Sequence, residues 1–150
     1  MITVEGDADA VHSVRISASS SPIQGTTEPV RRTATQLEEW FSGERTRFDL
    51  PLAPAATPRG QALRDAMVAI GYGETLSYGA LADLAESSAR AIGQACARNP
   101  FPIIVPCHRV LNADGRLGAY SAGDGPRTKH WLLDHEQRHS PNRARDLFSR

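Results

Sequence analysis

The sequence predicts an α/β (α+β) protein of two lobes. A small N-terminal sheet lobe spans residues 1–53, and a helical lobe spans 54–150 and carries a helix-turn-helix and a buried strand. Three observations predict this. Short β-patterned stretches are confined to the first fifty residues. Three capped helical periods follow between Thr57 and Arg98. An apolar run bracketed by prolines, Phe101–Val105, comes next. At 150 residues, 40% hydrophobic and 23% charged, the chain suits one ordinary domain or two small lobes sharing a core. This composition argues against disorder, collagen and coiled coil.

The elements follow in order. Ile2–Val4 and Val11–Ile16 read as short strands, and Ser17–Pro29, rich in Ser, Thr and Pro, reads as loop. Thr33 or Thr35 caps a helix carrying Leu37, Trp40 and Phe41 that stops at Gly43. Phe48–Leu52 alternates like a strand that Pro51 keeps at an edge, and Pro54–Thr57 links the lobes. Thr57-Pro58 starts a helix with Leu63, Met67 and Ile70 at helical spacing, ended by Gly71. Ser77 caps a short helix over 78–86, and Ser87 or Ser88 caps another that runs through Arg98. Two short helices joined by a tight turn resemble a helix-turn-helix.

On the second of these helices Ile92, Ala95 and Cys96 share one face, so Cys96 reads as core. Arg90, Gly93, Gln94 and Ala97 share the other. That small, polar face suits either a DNA groove or close packing on another helix through Gly93. Phe101–Val105 reads as a buried strand delivering Pro106–Val110. Gly118–Gly125 is loop, a last helix over 126–138 packs Trp131, Leu132 and His135, and the tail 139–150 is polar.

The net charge of zero hides an asymmetry. Residues 1–89 hold seven basic and twelve acidic side chains, and 90–150 hold ten and five; sixteen of the seventeen cations are Arg. A basic C-terminal half suits a polyanion. No apolar run approaches the roughly 20 residues that cross a bilayer, and the start has no signal-peptide pattern. These points lead us to expect a cytoplasmic protein with no membrane partner. Two cysteines, Cys96 and Cys107, are too few for a disulfide framework and lack zinc spacing, so no metal is expected.

Cys107 lies beside His108 and Arg109. A free thiol titrates near 8.5 and needs a base or a positive charge to react at neutral pH. His108 is a candidate base, and Glu136 or Asp134 on the last helix could orient it. Taken alone the pair is weak evidence, because neighbours on an extended strand face opposite ways.

Five separated motifs add context: Gly73–Tyr78 (GETLSY), Ala89–Gly93 (ARAIG), Asn99-Pro100, Pro106–Val110 (PCHRV) and Gly118–Ser121 (GAYS). They are followed by Lys129 and Trp131–Glu136 (WLLDHE). Over about Thr57 to Glu136 the chain resembles the cysteine alkyltransferases that repair O6-alkylated guanine in DNA. The resemblance implies that Cys107 accepts the alkyl group irreversibly. His108 takes its proton through a water, Glu136 orients His108, and Tyr78 donates to the guanine ring. Ser77, Tyr78, Arg90, Gly93, Gln94 and Ala97 would face DNA, with Arg90 the finger that fills the stack after base flipping. Asn99, Arg109, Val110, Tyr120 and Ser121 would form the substrate pocket, Asn99 bracing the turn before it. The partner is double-stranded DNA containing O6-alkylguanine, the helix-turn-helix enters the minor groove, no cofactor is needed, and a monomer is the default.

The sequence departs from that pattern in places. Glu86-Ser-Ser88 replaces the usual Gly/Pro turn between the two short helices. Arg59, Gly60 and Arg64 stand where an aromatic, a Gln and a Trp are common, so the Trp contact that welds the lobes must be rebuilt or lost. Ala119 replaces a pocket glycine, and Asp124 sits in a longer loop. Only Ser21-Pro-Ile23 faintly echoes the family's first hairpin, so a reduced sheet is expected. The alternatives are a non-catalytic sensor of alkylated DNA, which Cys107 argues against, or a paralogue with altered substrate range. A DNA-binding regulator switched by alkylation ranks last.

Overall fold

The computed structural model of the chain describes residues 2–16 and 27–140. Strands β1 (Ile2–Gly6) and β2 (Val11–Ile16) form an antiparallel hairpin with Val4 opposite Val14. Val4, Val11 and Val14 are buried; Val11 and Val14 lie three residues apart, and the pairing shifts register between Glu5 and Gly6, as at a β-bulge. Ser21–Ile23 and most of the tail lie outside the described residues.

Helix α1 (Glu28–Phe41) begins well before Thr33, correcting the expected start. The true cap is Thr27, in extended conformation, and Pro29 fits the first turn because its missing N–H would have no partner there. Thr33 lies inside the helix and is buried; its hydroxyl donates back to the Pro29 carbonyl at 2.8 Å. Phe48–Leu52 is likewise not a strand. It forms one parallel bridge, Val11 to Leu52, in which the Val11 N–H donates to the Pro51 carbonyl and the Ala53 N–H to the Val11 carbonyl, both at 2.7 Å. The ladder goes no further, and Pro51 has no N–H to extend it.

Helix α2 (Pro58–Val68) starts at Thr57, whose hydroxyl accepts from the Gly60 N–H at 3.0 Å; it is capped by Ala69, short of Gly71. Arg64 replaces the missing Trp with different chemistry. Its Nη1 donates to the carbonyl of Ala53, just before the linker, at 2.8 Å, and its guanidinium lies 5.1 Å over the Phe101 ring.

Strand β3 (Leu76–Ser77) runs into α3 (Tyr78–Leu84), and a turn leads to α4 (Ala89–Ala97). Both helices have serine caps: Ser77 accepts from the Ala80 N–H at 3.0 Å, and Ser88 from the Ala91 N–H at 3.1 Å. Between them, the Ser87 N–H reaches the Ala82 carbonyl at 2.8 Å and the Glu86 N–H reaches Asp83 at 3.3 Å. This closure needs a left-handed residue, usually Gly, and here Glu86 occupies it at φ 53. The missing glycine has therefore not abolished the turn.

The predicted strand at Phe101–Val105 is absent. The segment folds into a buried turn, closed by the Val105 N–H on the Phe101 carbonyl at 2.9 Å. A 3-10 turn, Cys107–Arg109, follows, then β4 (Val110–Leu111), which pairs parallel with β3. Helix α5 (Pro126–His139) closes the fold. Leu132 and His135 on it are buried, whereas Trp131 is 45% exposed, contrary to its expected packing.

Both halves share one core. Val14 and Trp40 belong to the same buried cluster as Met67, Ile92, Phe101 and Leu132. Trp40 is fully buried, its ring lies 4.4 Å from that of His135, and His135 Nε2 bonds the Trp40 carbonyl at 2.9 Å. Truncating such a side chain costs about 3–5 kcal/mol. Among the described residues, no helix is long and apolar enough to cross a membrane, and no three metal-ligating side chains converge.

Candidate functional site

Asn99, just beyond α4, organises the turn that replaces the strand. Its Oδ1 accepts from the Phe101 N–H at 2.9 Å, and its Nδ2 donates to the Val105 carbonyl at 2.9 Å and to Cys107 Sγ at 3.2 Å. One side chain thus ties both ends of the segment and the thiol together. Within the turn Ile103 adopts φ 75, a left-handed conformation costly for a β-branched residue, about 1–3 kcal/mol. Its side chain is 1% exposed, and the surrounding core holds it there.

The 3-10 turn settles how neighbouring residues divide their roles. About three residues per turn fan the side chains out instead of alternating them. Cys107 opens onto a cavity, while His108 and Arg109 meet Glu136 of α5. His108 Nε2 lies 2.7 Å from Glu136 Oε2. Arg109 donates from Nε to Oε1 at 2.9 Å and from Nη2 to Oε2 at 2.8 Å. Arg109 Nη1 also reaches the Ile70 carbonyl, and the Gly73 N–H approaches Glu136 Oε1 at 3.3 Å. Asp134, the other candidate carboxylate, instead pairs with Arg138 at 3.1 Å.

Burial alone would raise the Glu136 carboxyl, but hydrogen bonds from His108 and Arg109 hold it at about 2. His108 is fully buried, and that burial lowers its pKa despite the carboxylate, so it stays neutral. An ionised carboxylate only accepts, so the ring proton sits on Nε2 and leaves Nδ1 as a basic lone pair. Nδ1 is buried without a hydrogen-bond partner among the described residues.

The cavity beside Cys107 measures about 150 Å³, space on the order of one aromatic ring. From α3 and α4 it is lined by Tyr78, Gly93, Cys96 and Ala97; from the loop before α5, by Ala119, Tyr120 and Ser121. A Cβ built on Gly93 would meet nothing within 4 Å. Gly93 therefore faces open space at the cavity and does not pack on another helix.

The electrostatics divide the groups. Cys107 is held below an ordinary thiol, first by a hydrogen bond from Cys96 and then, against its burial, by the Asn99 amide and the nearby Lys129 charge. Burial and the two thiols raise Tyr78 and Tyr120, so both hydroxyls keep their protons.

Of the residues singled out in sequence, the cavity gathers Cys107, Tyr78, Gly93, Ala97, Tyr120 and Ser121. Asn99 lies behind it as a brace, and Val110 is buried in β4. Arg109 is turned to Glu136 and lines a different cleft with Tyr72 and Ile104. Ser77 spends its hydroxyl as a cap. Arg90 and Gln94 are exposed on α4, Gln94 beside a cleft shared with Arg59 and Arg98.

Two residues were missed. Cys96, read as core, does pack against the core cluster, but it also lines the cavity beside Cys107. Lys129 is fully buried and donates to the carbonyls of Val110 at 2.6 Å, Leu117, and Ala119 at 3.3 Å, pinning the pocket loop. The sequence held a signal for Lys129: it shares the inner face of α5 with Leu132 and Glu136, at i+3 and i+7.

Comparisons with known proteins identify the chain's relatives. The family model of the 6-O-methylguanine DNA methyltransferase DNA-binding domain matches residues 59–138. A Mycobacterium bovis protein named methylated-DNA--protein-cysteine methyltransferase is 45% identical over 108 residues, covering 71% of this chain and 64% of that protein. A Bacillus subtilis protein of that name, constitutive, is 44% identical over 104 residues, covering 68% and 62%. The matched stretch thus spans somewhat less than two thirds of those curated relatives. A crystal structure of Mycobacterium tuberculosis OGT in complex with DNA superposes with TM-score 0.78 at 36% identity, covering 92% of this chain and 87% of that one. With a family domain across more than half its length and a fold shared almost end to end, the chain belongs to the 6-O-methylguanine DNA methyltransferase family.

Proposed function

We propose that the chain repairs DNA by irreversible transfer of an alkyl group from O6 of guanine in a duplex to Cys107. One observation carries this: Cys107, its thiol held low by Cys96 and Asn99, shares a cavity with the protonated Tyr78, while the His108–Glu136 pair lies behind the same turn. Relatives named for methylated DNA and protein cysteine, and a neighbour captured with DNA, support the same reading.

The damaged base is flipped out of the stack at a cost of a few kcal/mol. Exposed Arg90, at the first turn of α4, fills the gap and opposes phosphate charge. Gly93 and Ala97 allow close backbone approach, with Gln94, Ser77 and Tyr78 along the minor-groove face. Cys107 loses its proton through a water to neutral His108, and Glu136 steadies the resulting imidazolium. The Cys107 sulfur attacks the alkyl carbon, the carbon–O6 bond breaks, its electron pair passes into the guanine, and Tyr78 supplies a proton to the ring. The thioether is stable, so the protein acts once and needs no cofactor. Tyr120, Ser121 and Val110 shape the guanine site; Asn99 and Arg109 act from behind it as positioning residues. A cytoplasmic monomer with lobes 1–53 and 54–150 completes the reading.

Intact mass after incubation with a duplex containing one O6-methylguanine tests it. A single methyl gained on Cys107, and none by Cys107→Ser, is expected. An unchanged mass with tighter binding to damaged than to undamaged duplex would overturn transfer in favour of sensing.

A further inference from the structure

Cys96 forms no bond in the transfer, yet it lines the same 150 Å³ cavity as Cys107, and each thiol shifts the titration of the other, Cys96 upward and Cys107 downward. On its other side the Cys96 thiol donates to Met67 Sδ at 3.6 Å, a weak sulfur contact that a turn of the side chain gives up. The cavity gives a small oxidant access to both sulfurs: Ala97, Ala119 and Ser121 on its lining are exposed, and Gly93 faces open space.

We propose that Cys96 is a resolving thiol: under peroxide, Cys96 and Cys107 close a reversible disulfide across the cavity. The consequence, that the alkyl acceptor is withdrawn while oxidised and protected from irreversible damage, rests on the reading of Cys107 above. The chemistry balances. The Cys107 thiolate attacks one peroxide oxygen, the O–O bond breaks, and the departing hydroxide is protonated to water. The sulfur is oxidised to a sulfenic acid as the peroxide is reduced. Cys96 sulfur then attacks the sulfenic sulfur, the S–S bond forms and the S–O bond breaks. The hydroxide leaves as a second water with the Cys96 proton. The two thiols respond in opposite directions. Cys107 is lowered, and so is the one oxidised first; Cys96 is raised by its contact with Cys107 and keeps the proton needed in the second step. A sensor thiol of low pKa beside a resolving cysteine is the arrangement such chemistry requires.

The test uses the full reduced chain, stoichiometric hydrogen peroxide, maleimide trapping and non-reducing peptide mapping. The wild type is expected to lose two hydrogens, take up no maleimide, and yield peptide 91–98 linked to 99–109. Dithiothreitol restores both thiols and methyl uptake from the O6-methylguanine duplex. Cys96→Ser and Cys96→Ala lose the linked peptide and accumulate oxygens on Cys107 that dithiothreitol does not remove. Oxygens accumulating on wild-type Cys107 without the linked peptide, or a link only between two chains, would overturn the proposal. A linked peptide in a protein that, once reduced, never takes a methyl would support the thiol pair and overturn the acceptor reading instead.

Discussion

The two sides of the Cys107–Arg109 turn contrast in how they handle polar groups. On the inner side, His108, Arg109 and Glu136 form a buried network in which each carboxylate oxygen is hydrogen-bonded, and Glu136 stays ionised. On the outer side, two thiols and the tyrosine hydroxyls surround an open cavity, and the Tyr120 hydroxyl has no hydrogen-bond partner among the described residues. The inner side, where the Glu136 oxygens are fully bonded and His108 Nδ1 is left unpartnered among the described residues, fixes geometry. The outer side leaves donors and a nucleophile available to something that enters. One 3-10 turn separates the two within three residues, which a strand could not do with the same neighbours.

Breaking the inner side carries the largest effect. Glu136→Gln leaves the Arg109 guanidinium buried without its counter-charge and is expected to destabilise by about 3–5 kcal/mol in urea unfolding. The same network sets acid lability. The Glu136 carboxyl is depressed from 4.5 to about 2, so its contribution is full above 4.5 and lost as pH falls toward 2. His108 is also depressed, from 6.5, so its contribution is present above 6.5 and is lost as pH falls through its lowered folded value. Thermal melts should show stability declining below 6.5, with the decline between 4.5 and 2 missing in Glu136→Gln.

Lys129→Met comes next. It strips the donor from one β4 carbonyl and two loop carbonyls and is expected to cost about 1–3 kcal/mol, with faster amide exchange over 117–121. Asn99→Ala tests the outer side. It costs about 1–2 kcal/mol and, by removing a donor to Cys107 Sγ, moves the pH profile of Cys107 alkylation to higher pH. A loss of stability with an unmoved profile would make Asn99 a brace only. The smallest change sharpens the contrast from outside it. Glu86→Gly relieves a left-handed residue and should stabilise by about 1 kcal/mol in the same melts, with the alkylation profile unaltered.

What was legible in the sequence was local. Thr57, Ser77 and Ser88 each cap a helix through a backbone N–H three residues on, a signal contained in a few adjacent residues. The start of α1 was hidden because Thr27 and Pro29 end a Ser/Thr/Pro-rich stretch that looks like loop, while Thr33 mimics a cap from inside the helix. Phe101–Val105 was misread because a short apolar run has the same pattern whether it buries a strand or a turn. Only the Asn99 side chain distinguishes them, through bonds to residues up to eight positions away. Arg109 was assigned to the pocket because its motif neighbours are there; its orientation depends on Glu136, 27 residues later. Cys96 was assigned to the core because it shares a helical face with Ile92, and its contact with Cys107 exists only once the intervening turn has folded back.

The most direct measurement is the pH dependence of iodoacetamide reaction at Cys107, read site by site from peptide 99–109. Half-maximal reactivity below that of an ordinary free thiol is predicted, moving upward in Asn99→Ala. A midpoint at or above that of an ordinary free thiol would contradict an acceptor whose thiol its surroundings hold low beside the Glu136 network.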